Sequence, residues 1–550
     1  VASATTMPRV SPATFLPAIA LTALAVGIFA LWMHPAVLDP SNVGWLMVGS
    51  DRGQAMIGLA AYLREGSGAW PVTLTPLLGA PDGTALLLTD SIPLLGILLK
   101  PFAAILPDGW QYVGLWYLAC LLLHVFFAWK LIRPHAPDAL GAWLGTALLT
   151  LFPPLLNRWV HASLASQWLI LWGLWLFIES DRERRPLAWA ALLVLTALIH
   201  NYLLLMIGAI WASAVLRDII RGPGRAQTLM IALATGAIVL AAAATHGVFG
   251  NHYASTGDYG AFPMALDAWW NPAHPTYSAL IPASSENDGR GFEGLQYLGA
   301  GLLTLVLAAA ALLAIRRDRT AIPDAVIRLR WLLPAFLVLI LLAIGPQGLW
   351  RGVPLFTLPV PTVVIDTLDP VRAAGRLAWP VTYALALSAI LIVVRWRHGS
   401  LILAAALAIQ LIDLAPMIGA IRHRSAEADQ PAHYPRTPDP RWEALVASAA
   451  RIDFQPPRVR ADLPVMHEVT LRAILACRPV NFTYTARQTP AAVARLTSER
   501  AGYRKGMIDP TRLYVLLRDS VPPALADRIK VIDGVAVIPP SARAKPASCE

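Results

Sequence analysis

Residues 48–70 read VGSDRGQAMIGLAAYLREGSGAW and come soon after the apolar run FLPAIALTALAVGIFALWM at 15–33. A run of that length reaches across a hydrocarbon core of about 30 Å, and it is read as an uncleaved first span. In the stretch that follows, Ser50 and Asp51 stand at the head of a segment whose Met56, Ile57, Ala60 and Leu63 recur at helical spacing. This predicts an amphipathic helix with an acidic start, lying beside the membrane rather than crossing it. Asp90-Ser91-Ile92-Pro93 opens a second short apolar stretch of the same kind, ending at Lys100-Pro101.

Further apolar runs lie at 110–132, 139–156, 163–178, 187–201, 202–216, 227–245, 295–315, 331–345, 378–394 and 400–420, about eleven predicted transmembrane helices with the first. Composition agrees. The 550 residues are 56% hydrophobic and only 14% charged, too little charge for the surface of a soluble protein of this size. The 45 prolines and 37 glycines interrupt apolar runs, which predicts broken helices rather than disorder. The net charge of +10 sits in clusters between spans: Lys130 and Arg133; Arg182, Arg184 and Arg185; Arg217, Arg221 and Arg225; Arg316, Arg317 and Arg319; Arg395 and Arg397. That pattern marks the cytoplasmic side of a membrane and argues against nucleic acid as a partner.

The expected fold class is therefore an all-α multi-span membrane protein with a transmembrane domain over 1–420 and a cytoplasmic N-terminus. The loops 34–109, 246–294 and 346–377 face outwards, as does the tail 421–550. Arg512 to Leu517 and Ile529 to Ile538, with a turn signal at Asp533-Gly534, alternate with helical patterns at 441–451 and 490–500, so the tail is read as a small extracytoplasmic α/β domain. Cys477 and Cys549 both lie in it. Spacing alone leaves their pairing open.

Several residues in the outward segments carry chemistry. Asp51 is either a first-turn carboxylate complementing its helix dipole or a general base, and Asp90 is either a cap or an acceptor-binding or secondary basic group. Arg372 and Arg376, four apart in LDPVRAAGRLAWP, are expected on one helix face, where two guanidiniums can clamp a phosphate or reach lipid headgroups. Arg52, His161, the run His200-Asn201-Tyr202 and the pair Trp269-Trp270 are candidate acceptor or sugar contacts, with a turn at 200–202 or an interfacial aromatic belt at Trp269-Trp270 as the plainer reading. His246 and His252, six apart, lack the spacing of a helical metal pair, so no metal site is expected.

The order of elements from 45 to 132 resembles the integral-membrane glycosyltransferases of the GT-C superfamily. It runs as a span, an acidic residue opening a helix that bears Tyr62, the Trp70-Pro71 turn, a second Pro-led helix and a second span. The segments SDRGQA and TDSIPL look like a less characterised bacterial branch of it, and the architectural resemblance extends over roughly the first 420 residues. It implies an inverting enzyme of the bacterial inner membrane that takes a sugar from a polyprenyl-phosphate carrier to an outer-face glycan, lipid or protein acceptor, with Asp51 as general base. Many members carry a second acidic residue where this chain has Arg52, and that departure from the pattern weighs against a required metal cofactor. The competing classes are an outer-face glycan polymerase or ligase using diphosphate-linked oligosaccharides, a lipid or glycan transporter, and a scaffold whose tail binds a partner.

Overall fold

The structure is a computed structural model that describes residues 16–49, 51–66, 68–179, 186–249, 257–284, 290–316, 322–429, 433–458, 462–485, 487–518, 521–542, 544 and 549. Ser50, Arg182, Arg184, Arg185, Asn251, His252, Arg317 and Arg319 lie outside the described residues.

Leucine and alanine dominate the apolar runs, and both favour helix. In hydrocarbon a helix also satisfies every backbone amide within its own segment. The runs accordingly fold as helices. Among the described residues six of them are long and apolar enough to cross a membrane: Val113–His135, Asn201–Arg221, Arg225–Thr245, Asp324–Ile344, Ala374–Val394 and Gly399–Ala428. A seventh span results if Ala139–Thr150 and Pro153–Val160, bent by 47° at the break, are counted as one. The expected count of eleven is not supported. Pro17–Trp32, Ser163–Ile178, Pro186–Ile199 and Ala300–Ile315 are apolar but shorter. Apolar length does not report where the backbone breaks: regular helix in the 163–178 run is confined to Trp168–Ile178, about 16 Å at 1.5 Å per residue. Arg217, expected in a loop, lies buried inside the Asn201–Arg221 helix. Leu229, Met230, Leu233, Ile238 and Leu240 of the outer helix Arg225–Thr245 are exposed, an apolar surface suited to lipid rather than water.

The helix expected from Asp51 is present as Asp51–Arg64, but it is enclosed rather than laid on a surface. All but three of its residues are buried: Asp51 and Ala60 are half-buried and Arg64 is exposed. Two glycines admit its neighbours. A Cβ on Gly53 would stand 2.4 Å from the His467 ring of helix Leu463–Leu475, and one on Gly58 would stand 2.0 Å from Thr89 Oγ1 and 2.3 Å from Ser91 Oγ. The second Pro-led segment forms Pro93–Leu99 and continues as a 3-10 turn over Lys100–Ile105, with Leu98, Phe102 and Ile105 exposed.

After a proline-bearing linker the chain builds a small α/β domain. Its four-stranded sheet runs in the order Ile452–Gln455, Leu513–Leu516, Val535–Ile538, Lys530–Ile532. The first pair is parallel and the others antiparallel. Asp533 and Gly534, at φ of 50° and 75°, make the hairpin turn that their sequence signalled. Helices Arg441–Ser448, Leu463–Leu475 and Pro490–Arg504 accompany the sheet, and Cys477 pairs with Cys549 in a disulfide at a Cα–Cα distance of 5.5 Å.

Candidate functional site

Asp51 opens its helix with the carboxylate aimed at other elements. His161, which ends the 3-10 turn Asn157–Val160, brings Nε2 to 2.9 Å from Asp51 Oδ2, and the hydroxyl of Tyr484 in the C-terminal domain donates to the same carboxylate. Gln54 Nε2, on the same helix, donates 2.9 Å to the Tyr484 carbonyl and 3.1 Å to the Leu88 carbonyl and holds both segments against the helix. Burial acts to raise the Asp51 carboxyl, yet the His161 ring and the two hydrogen bonds outweigh it and leave the group at about 2.

Asp90 reaches the same place from a segment packed on the helix at Ala55 and Gly58. The segment is tied down by Ser91 Oγ, which donates 2.6 Å to the Ala55 carbonyl, and by Thr89 Oγ1, which donates 2.8 Å to the Leu86 carbonyl. Asp90 itself adopts φ of 53°, a left-handed conformation that Asp tolerates better than most residues. The following helix Pro93–Leu99 has Ile92 at its N-cap with no side-chain cap bond, so Asp90 does not serve as that cap. One ligand atom each from Asp51, Asp90 and His161 lie within 4.8 Å of one another. Burial raises the Asp90 carboxyl above its ordinary value, with the Asp51 charge adding to the effect while His161 and Arg376 oppose it. Two neighbouring carboxyls are thus pushed apart in proton affinity.

The cationic side of the site is organised by Glu293. Asn157 Nδ2 donates 2.9 Å to the Phe292 carbonyl, and Arg158 lies 4.4 Å over the Phe292 ring, which fixes Glu293 between two arginines. Arg158 Nη1 stands 2.7 Å from Oε2, Arg376 Nε 2.7 Å from Oε2, and Arg376 Nη2 2.5 Å from Oε1. Burial would raise Glu293, but Arg376, Arg158 and His161 hold it well below the usual carboxylate range. Arg372 and Arg376 are not on one regular helix face as their spacing suggested. Ala373, at φ −90° and ψ 51°, separates the 3-10 turns Asp369–Val371 and Ala374–Ala378. Arg376 is buried on Glu293 with its guanidinium 5.2 Å from the Tyr202 ring centre, whereas Arg372 is half-buried near Tyr202 and Tyr484 and its guanidinium makes no hydrogen bond or ion pair among the described residues.

Residues 22–415 match the family described as "Domain of unknown function (DUF6311)", and residues 441–540 match the "DUF6311 C-terminal domain". The chain belongs to the DUF6311 family. No curated protein matches it.

In this DUF6311 protein the remaining sequence candidates divide. Tyr202 joins the site, its hydroxyl accepting 2.9 Å from the Ala373 amide. His200 caps the Asn201–Arg221 helix, Nδ1 accepting 3.1 Å from the Tyr202 amide, which is the turn role its position allowed. Asn201 is the first residue of that helix, with Oδ1 buried and without a donor among the described residues. Trp269 donates 3.1 Å to Thr382 Oγ1 and Trp270 packs 5.6 Å from Trp350, so neither pairs with the carboxylates. Arg52 turns to the other side of the helix, 4.5 Å over Trp159 and 3.9 Å from Glu427, and supports packing. Two site residues were not anticipated, Glu293 and Tyr484. The DUF6311 site can perform acid-base chemistry through Asp51 and Asp90. Asp51, Asp90 and His161 together are also a ligand set for a cation, at the cost of the His161–Asp51 hydrogen bond if Nε2 is used.

Proposed function

We propose that this DUF6311 protein is a membrane glycosyltransferase that moves one sugar from a polyprenyl-phosphate carrier to a hydroxyl-bearing glycan, lipid or protein acceptor, with inversion. The observation that carries the reading is the meeting of Asp51 and Asp90, two carboxyls of unlike proton affinity, within reach of the same Tyr484 that neighbours the unpaired Arg372. In the reaction the acceptor oxygen attacks the anomeric carbon as the bond to the carrier phosphate breaks. The acceptor proton passes to Asp51, which stays ionised at neutral pH, and from there to Asp90, whose higher proton affinity makes it the resting place. The phosphate departs with the bonding electrons, and Arg372 offers it a forked set of donors.

The setting fits this chemistry. Asp51, Asp90 and His161 lie at one end of the helical domain, against the α/β domain, while the basic clusters around Arg217–Arg225 and Arg395–Arg397 lie at the other. The proposed orientation places those clusters in the cytoplasm and the catalytic end outside the inner membrane. The Cys477–Cys549 disulfide supports an oxidising compartment for the C-terminal domain. The direct test offers purified full-length protein in bilayers a panel of labelled polyprenyl-phosphate sugars with envelope glycans, lipids and peptides as acceptors. The expected product carries one added sugar of inverted configuration. No transfer from any monophosphate-linked donor, together with chain growth from diphosphate-linked oligosaccharides, would establish the polymerase or ligase chemistry in its place.

A further inference from the structure

A large cavity lies far from the carboxylates. It is a cleft of about 710 Å³ between the helices Pro186–Ile199, Asn201–Arg221 and Arg225–Thr245 and the segment 324–331. The Asn201–Arg221 helix measures the separation. Tyr202 at its start stands against Arg376, and Arg221 at its end lines the cleft, so the two places are about 30 Å apart along the axis, one hydrocarbon thickness.

Charge in the cleft is unbalanced. Arg217, Arg221, Arg328 and Arg330 face Asp218 and Asp324. Two of the four arginines are engaged elsewhere: Arg217 Nη1 donates 3.2 Å to the Phe177 carbonyl and Arg328 Nη1 donates to the Ile178 carbonyl, closing the C-terminal end of the Trp168–Ile178 helix. Arg221 is exposed and stacks 4.8 Å from the Trp331 ring centre, and Arg330 is exposed with no side-chain hydrogen bond or ion pair among the described residues. Trp189, only 2% exposed and part of the cleft wall, keeps its indole N–H buried with no acceptor among the described residues. Apart from Gln227, Thr228 and Thr235 the rest of the wall is apolar, and Ile231 on it adjoins the exposed Leu229, Met230 and Leu233.

We propose that this cleft binds an anionic glycerophospholipid, its headgroup phosphate on Arg221 and Arg330 and its acyl chains along the outer face of the Arg225–Thr245 helix. Arginine supplies forked donors to phosphate oxygens, tryptophan suits the headgroup level, and a basic pocket between spans matches an acidic lipid better than a zwitterionic one. The site does not depend on the transfer chemistry.

The test uses full-length protein in detergent, with thermal stability followed as phosphatidylglycerol, phosphatidylcholine or glycerol 3-phosphate is added. Phosphatidylglycerol is expected to raise the melting temperature saturably, and the other two to leave it unchanged. In the double variant Arg221→Gln/Arg330→Gln the half-maximal phosphatidylglycerol concentration should rise by about tenfold or more, the loss of charge-assisted contacts. The double variant Arg225→Gln/Arg395→Gln removes the same charge from the same membrane face outside the cleft and should behave as wild type. Equal stabilisation by phosphatidylcholine, stabilisation by glycerol 3-phosphate alone, or an equal loss in both double variants would overturn the assignment.

Discussion

Arg372 and Arg376 are four residues apart and differ in what they touch. Arg376 is buried on Glu293, so Arg376→Gln leaves that carboxylate with Arg158 alone and should cost about 3–5 kcal/mol of stability, read from chemical or thermal unfolding. Arg372→Gln should leave stability near wild type and raise the KM for the donor by about tenfold or more. A fall in stability with Arg372→Gln and none with Arg376→Gln would reverse these roles. The carboxyls give a pH signature. Asp51 is depressed, so the stability from its His161 and Tyr484 contacts is present above the unfolded value of about 3.9 and is lost only as pH falls towards about 2. Asp90 is raised, so it protonates first as pH falls. Turnover should therefore drop on the acid side with a midpoint above the ordinary carboxylate value, and Asp90→Asn should abolish that limb while lowering the plateau. An acid limb that persists unchanged in Asp90→Asn would assign it to another group.

At the scale of elements, the Asp51–Arg64 helix depends on glycine for its contacts. Gly58→Ala adds helix propensity worth about 1 kcal/mol, but its methyl group would press on Thr89 and Ser91, whose segment carries Asp90. The expected outcome is a folded protein with transfer reduced at least tenfold, and wild-type turnover in Gly58→Ala would show that Asp90 needs no such placement. This helix also shows how far sequence reasoning reaches. The sequence singles out Asp51 and Asp90 as carboxylates and His161 as an acceptor contact, and the helix begins at Asp51, but only the fold brings the three together. The helix was expected to be amphipathic because periodicity records apolar positions and is silent about a domain that folds back from 400 residues downstream. Tyr484 was missed for that reason. Glu293 left a trace that could have been followed: Arg158 and Arg376 at span ends both call for a carboxylate, and Glu293 is the last acidic residue before the next apolar run. The one-face reading of Arg372 and Arg376 failed because spacing implies a shared face only where the backbone is regular, and at Ala373 it is not.

At the scale of the whole molecule the chain is a membrane protein with a proposed site at each end, carboxylates under a disulfide-bearing cap at one and an arginine-lined cleft at the other. Six or seven helices, rather than eleven, are long enough to cross, because several apolar runs are spent on short or broken helices. Those breaks are where the site residues sit: His161 follows the bent pair, Tyr202 begins a span, and Arg376 lies in the turn that opens another. All of this converges on Asp51, which receives His161 from the helical domain and Tyr484 from the cap. The decisive measurement is the rate of labelled sugar transfer by wild-type protein and by Asp51→Asn, side by side in bilayers at saturating donor. The account predicts a fall of about 10²–10⁴-fold with donor binding retained. Equal rates would contradict it.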